Sequence, residues 1–230
     1  MRFSIIVRIF LVMLFVESFA NAFEIYWLQF LSKPSLMLIL LTYFLSTTVQ
    51  LSRIRFLIIS ALVFSWIGDV VLLIEKRSES LFVYGLIAFL AAHLCYVAYY
   101  RLIGITNREK YRIKKSLLTA LLLYAALFYI FLFPYLGDLK FPVVIYTLVI
   151  SLMLFTSVHG FDDPDKDFAK LSIAGTVLFV LSDSILAINR FVFPLPLGSV
   201  LVMLTYAVGQ LLITEGAIRN LKHLKTVDPI

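Results

Sequence analysis

Residues 176–190 read TVLFVLSDSILAINR, and that stretch decides what kind of molecule the chain builds. It is apolar enough to sit in lipid, yet Ser182, Asp183 and Ser184 stand in a row within it and Asn189 and Arg190 close it. An ionised carboxylate inside a bilayer costs several kcal/mol unless it is paired, hydrated or protonated, so it marks a functional site by default. A second acid of this kind, Asp69, lies in the earlier stretch FSWIGDVVLL. Two intramembrane aspartates are what the rest of the sequence has to accommodate.

Composition agrees with a membrane setting. The chain has 230 residues, 62% hydrophobic and 15% charged, where a soluble domain carries about 25% charged residues. With a mean hydropathy of +0.99, the class is a polytopic membrane protein. The single cysteine, Cys95, stands in an apolar run, which excludes a disulfide framework and a cysteine metal site. The net charge of +6 reads as cytoplasmic loops facing anionic headgroups. No basic run interleaved with aromatics suggests a nucleic-acid partner. Arg2, an apolar stretch and Ala20-Asn21-Ala22 resemble a signal peptide with its cleavage site, but Arg8 interrupts the apolar region. An uncleaved first helix is the reading adopted; cleavage would leave seven helices and remove Glu17.

A span needs roughly 20 mainly apolar residues. Eight stretches satisfy this, about 4–23, 34–50, 55–74, 80–101, 115–136, 141–159, 168–189 and 197–219. They predict an all-α bundle of eight transmembrane helices forming one integral-membrane domain. Pro34 and Pro142 fall at first-turn positions in this reading, where a missing N–H costs nothing. Pro194 and Pro196 separate helices 7 and 8. The acidic loop with Asp162, Asp163, Asp165 and Asp167 suits the N-terminus of helix 7; without a central Gly or a distant Glu it is not a calcium loop.

Lys and Arg divide fifteen to five between the two faces. That bias predicts a multi-pass protein of a bacterial cytoplasmic membrane with both termini in the cytoplasm. Measured from the cytoplasmic ends of their helices, Asp69 lies roughly 21 Å and Asp183 roughly 22 Å along at 1.5 Å per residue. Equal depth permits a shared site. Aligning the two aspartates sets FSWIGDVVLLI over LFVLSDSILAI, 114 residues apart. This echo, with Pro34 and Pro142 opening helices 2 and 6, suggests a parallel four-plus-four repeat with both acids facing one cavity.

Two carboxyls in low-dielectric surroundings do not both ionise easily, so one can serve as acid and the other as base. The pair suits hydrolysis through an oxocarbenium-like state; the plainer alternative is hydrogen-bonded glue between helices. His93, in FLAAHLCYVAYY, is counted about 10 Å deeper than the aspartates. It is a candidate cavity wall, and its spacing from Asp69 and Asp183 carries no metal signature. Tyr206 and Gln210 share a face of helix 8, as do Thr176, Asp183 and Arg190 on helix 7. Ser182, Asn189, Tyr206 and Gln210 join His93 as candidate substrate contacts. Lys33 and Arg190, near the outer interface, either snorkel or hold a phosphate headgroup. No nucleophile elbow, HExxH, P-loop or dinucleotide fingerprint is present.

Lys33-Pro34-Ser35, SWIGDVVLL, AFLAAHLCY, GTVLFVLSDSILAINRF and LTYAVGQLLI, in this order and spacing, resemble the YhhN-like family of eight-helix membrane proteins. Characterised members of that family are lysoplasmalogenases. The resemblance implies hydrolysis of the vinyl-ether bond of a lysoplasmalogen, releasing a fatty aldehyde and glycerophosphocholine or glycerophosphoethanolamine. It also implies that no cofactor is needed, and that two essential aspartates fall on Asp69 and Asp183. A rival from another class is a proton- or cation-coupled transporter or lipid-binding protein using the same aspartates. Neither reading fixes an oligomeric state.

Overall fold

The computed structural model describes residues 5–49, 52–75, 80–106, 115–161 and 165–227. Asp162 and Asp163 of the acidic loop lie outside the described residues, as do the charge-count residues Arg2, Lys76, Arg77, Arg108, Lys110, Arg112 and Lys114. Eight α-helices follow in order: α1 Ile5–Ala22, α2 Tyr26–Thr47, α3 Arg53–Glu75, α4 Ser80–Thr106, α5 Lys115–Leu132, α6 Lys140–His159, α7 Asp167–Ala187 and α8 Gly198–Val227. Two short 3-10 turns, Phe133–Tyr135 and Gly137–Leu139, join α5 to α6, and a π turn, Ile188–Val192, closes α7. No strand occurs among the described residues. All eight helices are long and apolar enough to cross a membrane, so the chain is an all-helical, multi-pass membrane protein.

The second helix departs most from the sequence expectation. It starts at Tyr26 rather than 34, and Pro34 lies in its interior. Tyr26–Lys33 supplies aromatic and apolar residues together with the buried Gln29 and Ser32, and these pack on α1. Within a bundle, neighbouring helices satisfy the backbone groups that an interior proline frees, which is why the helix continues. Pro142, by contrast, is in the first turn of α6. The two prolines therefore hold different positions, and the part of the repeat argument resting on them falls. Helix α4 also runs on to Thr106, past the expected end at Arg101.

Helix contacts nevertheless come in matched sets. Pairs α1–α2, α2–α3 and α3–α4 have counterparts in α5–α6, α6–α7 and α7–α8, and α4–α6 has its counterpart in α8–α2. The most extensive contacts are α7–α8 and α3–α4. Small residues permit the first of these. A Cβ on Gly175 would meet the Gly209 carbonyl oxygen at 2.6 Å, and one on Gly209 would meet the Gly175 carbonyl oxygen at 2.9 Å. Close backbone approach through small residues is how membrane helices gain packing energy without a hydrophobic drive between them.

The matching breaks most at α5, and the small α3–α8 contact also lacks a comparable α7–α4 counterpart. Helix α1 packs on α8, whereas its counterpart α5 makes no comparable contact with α4. Accordingly α5 buries only Leu121, Ala125 and Leu132. The gap left between α4 and α5 becomes a cavity.

Candidate active site

That cavity is bounded by α4, α5, α6 and α7. Its walls are mostly apolar: Phe82 and Leu86 from α4, Phe128 and Leu132 from α5, Val143 and Ile150 from α6. Asp183 reaches into it from α7, with 14% of its side chain exposed. The hydroxyl of Tyr146 donates to Asp183 Oδ2 at 2.7 Å, and Nε2 of the buried His93 stands 3.5 Å from the same oxygen. The Tyr124 and Ser184 hydroxyls pair at 2.6 Å on the cavity wall. An apolar cavity with one polar cluster is the common form of a small-molecule site.

His93 is level with Asp183 rather than deeper. Helix α4 is 27 residues long, so its outer end is a poor datum for depth. Counted up from its observed inner end at Thr106, His93 lies about 20 Å along, and Asp183 about 24 Å from the start of α7. The imidazole is held edge-on against Tyr146, centroids 5.2 Å apart, and against Phe179 at 4.7 Å.

Asp69 occupies a different environment. It is 2% exposed, and the Tyr206 hydroxyl donates to its Oδ2 at 2.9 Å. No residue of α3 lines the cavity that Asp183 enters, so the expected single chamber shared by both acids is not what the helices build. A column of rings separates them. Phe179 of α7 stacks edgewise on His93 beside Asp183 and, at 5.3 Å, on Tyr206 beside Asp69. The physical reason is the thickness of α7, which stands between the gap beside α5 and the α3–α8 contact.

A second cavity lies on the Asp69 side of α7. It is more polar than the first, with Glu17, Asn21, Gln29, Lys33, Asn189 and Ser199 on its wall beside apolar Val202 and Met203. Leu72 and Leu73, one turn beyond Asp69 on α3, form part of its wall, and Lys33 and Glu17 act electrostatically on Asp69. Leu186 lines both cavities. That side chain, a turn beyond Asp183, stands between the two cavities.

The remaining candidates divide. Lys33 and Asn189 line the polar cavity, while Asn189 Oδ1 also accepts the Leu195 N–H at 2.8 Å and shapes the turn into α8. The Arg190 guanidinium lies over the Phe82 ring at 4.9 Å, at the edge of the apolar cavity. Ser182 donates to the Val202 carbonyl at 2.9 Å and ties α7 to α8. Gln210 accepts from Tyr96 at 2.6 Å and donates to Ser65 at 2.8 Å, joining α3, α4 and α8 beneath the site. Sequence reasoning missed Tyr146, which nothing distinguishes among 12 tyrosines. It also passed over Glu17, an intramembrane acid that carried the same signal as Asp69.

The YhhN family model matches residues 28–217, a span that holds both aspartates and both tyrosines bonded to them. The chain belongs to the YhhN family. Among curated YhhN-type relatives, human lysoplasmalogenase TMEM86A is 29% identical over 163 residues, 69% of this chain and 64% of its own length. Rat lysoplasmalogenase TMEM86B is 30% identical over 197 residues, 84% of this chain and 75% of its own. The lysoplasmalogenase of Mycobacterium tuberculosis is 30% identical over 173 residues, 72% of this chain and 62% of its own. The chain thus spans less than two thirds of the human TMEM86A and mycobacterial sequences. No solved structure matches this YhhN chain.

Proposed function

We propose that the protein is an integral-membrane hydrolase that cleaves the vinyl-ether bond of lysoplasmalogens. The single observation that carries the reading is Asp183, set with Tyr146 and His93 as the polar end of an otherwise apolar cavity; relatives named lysoplasmalogenase support the substrate class. The alkenyl chain lies in the apolar cavity, the glycerophospho end lies in the polar one, and the ether bond crosses at Leu186.

In this arrangement Asp183, protonated, stands on the chain side and gives its proton to the vinyl carbon beta to the ether oxygen. The oxocarbenium ion that forms lies against the Asp183 carboxylate left behind, while Asp69, held by Tyr206 across the ring column, contributes only at long range. Water adds to the cationic carbon and passes its proton to Asp183. The hemiacetal then collapses: Asp183 gives that proton to the departing glycerol oxygen and takes up the hydroxyl proton, and aldehyde and alcohol leave. No cofactor takes part. With both termini cytoplasmic, as the charge bias indicates, the polar cavity faces the opposite side of the membrane.

Isotopes test this sequence of steps. Turnover in deuterated water, with the aldehyde reduced as it forms, is expected to place one deuterium on carbon 2 of the product. Labelled water is expected to place its oxygen on the aldehyde and not on the glycerol. Label on the glycerol oxygen, or no deuterium at carbon 2, overturns the mechanism.

A further inference from the structure

A groove between the first turns of α3 and the last turns of α4 shares no residue with either cavity. Arg53 and Phe56 line it from α3, Arg101 and Ile105 line it from α4, and Ser52 joins them from just before α3. No carboxylate stands among its described lining residues. Its apolar members are open to the surroundings: Phe56 is 68% exposed and Ile105 48%.

The arginines at this end of the bundle fall into two groups. Arg55 Nε donates to Thr48 Oγ1 at 3.3 Å, and Arg219 pairs with Glu215 at 2.8 Å. The exposed guanidinium groups of Arg53 and Arg101 form no ion pair or hydrogen bond with any described residue. Both stand at the depth of lipid phosphates. Arg53 opens its span, and Arg101 comes one turn before Ile105, the last residue of its own, roughly 6 Å away along the helix.

Guanidinium groups bind phosphate through paired N–H donors. The Ser52 oxygen accepts the Arg55 N–H at 3.1 Å, which leaves its own O–H to donate. A soluble anion would use these charges and leave the apolar wall idle. A diacyl phospholipid uses both, with its phosphate between the arginines and a chain along Phe56 and Ile105. A zwitterionic headgroup would bring an ammonium to two cations with no described acid beside them, so the lipid that fits carries net negative charge. The charge bias assigns this end of the bundle to the cytoplasm, the side where anionic lipids gather.

We propose that the α3–α4 groove binds one anionic diacyl phospholipid of the cytoplasmic leaflet, its phosphate held between Arg53 and Arg101. Helix α3 carries Asp69 and α4 carries His93, so the bound lipid clasps the two helices that bring those side chains into the interior. The site lies outside the cavities assigned to the substrate and does not rest on the hydrolase reading.

Native mass spectrometry of the full-length protein in detergent tests this by counting retained lipid. The protein is equilibrated with equal amounts of dioleoylphosphatidylglycerol and dioleoylphosphatidylethanolamine, which have the same chains and differ in net charge. Wild type is expected to retain the glycerol lipid at least about tenfold in preference, the scale set by two basic side chains at a headgroup, and to melt at a higher temperature with it. In the double variant Arg53→Gln/Arg101→Gln, checked for folding by its melting curve, the preference is lost. The control Lys115→Gln/Lys222→Gln removes two charges from the starts and ends of other helices at the same end and keeps it. Equal retention by wild type, a preference that survives in the folded double variant, or an equal fall in the control overturns the proposal. So does an equal rise in melting temperature with inorganic phosphate, which would make the groove a site for a soluble anion. Should the double variant not fold, Arg53→Gln and Arg101→Gln alone are each expected to narrow the preference, and no change in either overturns it. Neither lipid contains a vinyl ether, so failure here leaves the hydrolase reading untouched.

Discussion

Each of the two intramembrane aspartates is paired with a tyrosine from another helix: Tyr146 of α6 donates to Asp183, and Tyr206 of α8 donates to Asp69. A hydrogen bond to a charged group contributes about 1.5–3 kcal/mol. Removing the Tyr146 hydroxyl while keeping its ring should therefore slow aldehyde release by about 10–100-fold with little change in KM. Steady-state kinetics of Tyr146→Phe measure this, and an unchanged rate would show that Tyr146 only packs. The aspartates themselves were visible from sequence because a carboxyl in an apolar run has no cheap explanation. Their tyrosine partners were not, since a phenol is ordinary in a membrane helix and only the fold shows which one points inward.

Among the helices, α7 and α5 define the site in opposite ways. Helix α7 is clamped to α8 through Gly175 and Gly209, where an added Cβ would strike backbone atoms that cannot move aside. Gly175→Ala is expected to destabilise the fold by about 1–3 kcal/mol, the usual range for overpacking, seen as a lower melting temperature in detergent. An unaltered melting curve would mean that the pair is looser than described. Helix α5 stands off from α4, and filling the gap should be felt by the lipid chain. Leu86→Trp should raise KM by about tenfold for long alkenyl chains, a few methylenes' worth of lost contact, and much less for short ones. A uniform effect on both would place the chain elsewhere. Eight apolar stretches announced the helices, but Pro34 misled the start of α2 because tertiary contacts carry a helix through a proline. The stand-off of α5 left no trace in hydropathy, since apolar residues line a cavity and face lipid equally well.

Across the whole molecule, the two halves present mostly matching helix contacts, the largest departure being where α5 withdraws, and the two cavities flank α7 with Leu186 between them. Counting depth along single helices placed both acids at one level but could not show that a helix and a column of rings stand between them. The division suits a lysolipid, whose chain and headgroup need different surroundings, better than a small ion carried by two carboxyls in contact. A transporter would move its ligand through proteoliposomes without altering it. The central claim is that Asp183 gives the proton that starts cleavage, and product identification tests it most directly. Purified wild type and folded Asp183→Asn are incubated with lysoplasmenylethanolamine and with an ester lysolipid, and the products are identified by mass spectrometry. The expected result is fatty aldehyde with glycerophosphoethanolamine from wild type acting on the vinyl ether alone, and none from Asp183→Asn. Undiminished aldehyde release by Asp183→Asn, or none from wild type where rat TMEM86B releases it, would contradict the claim.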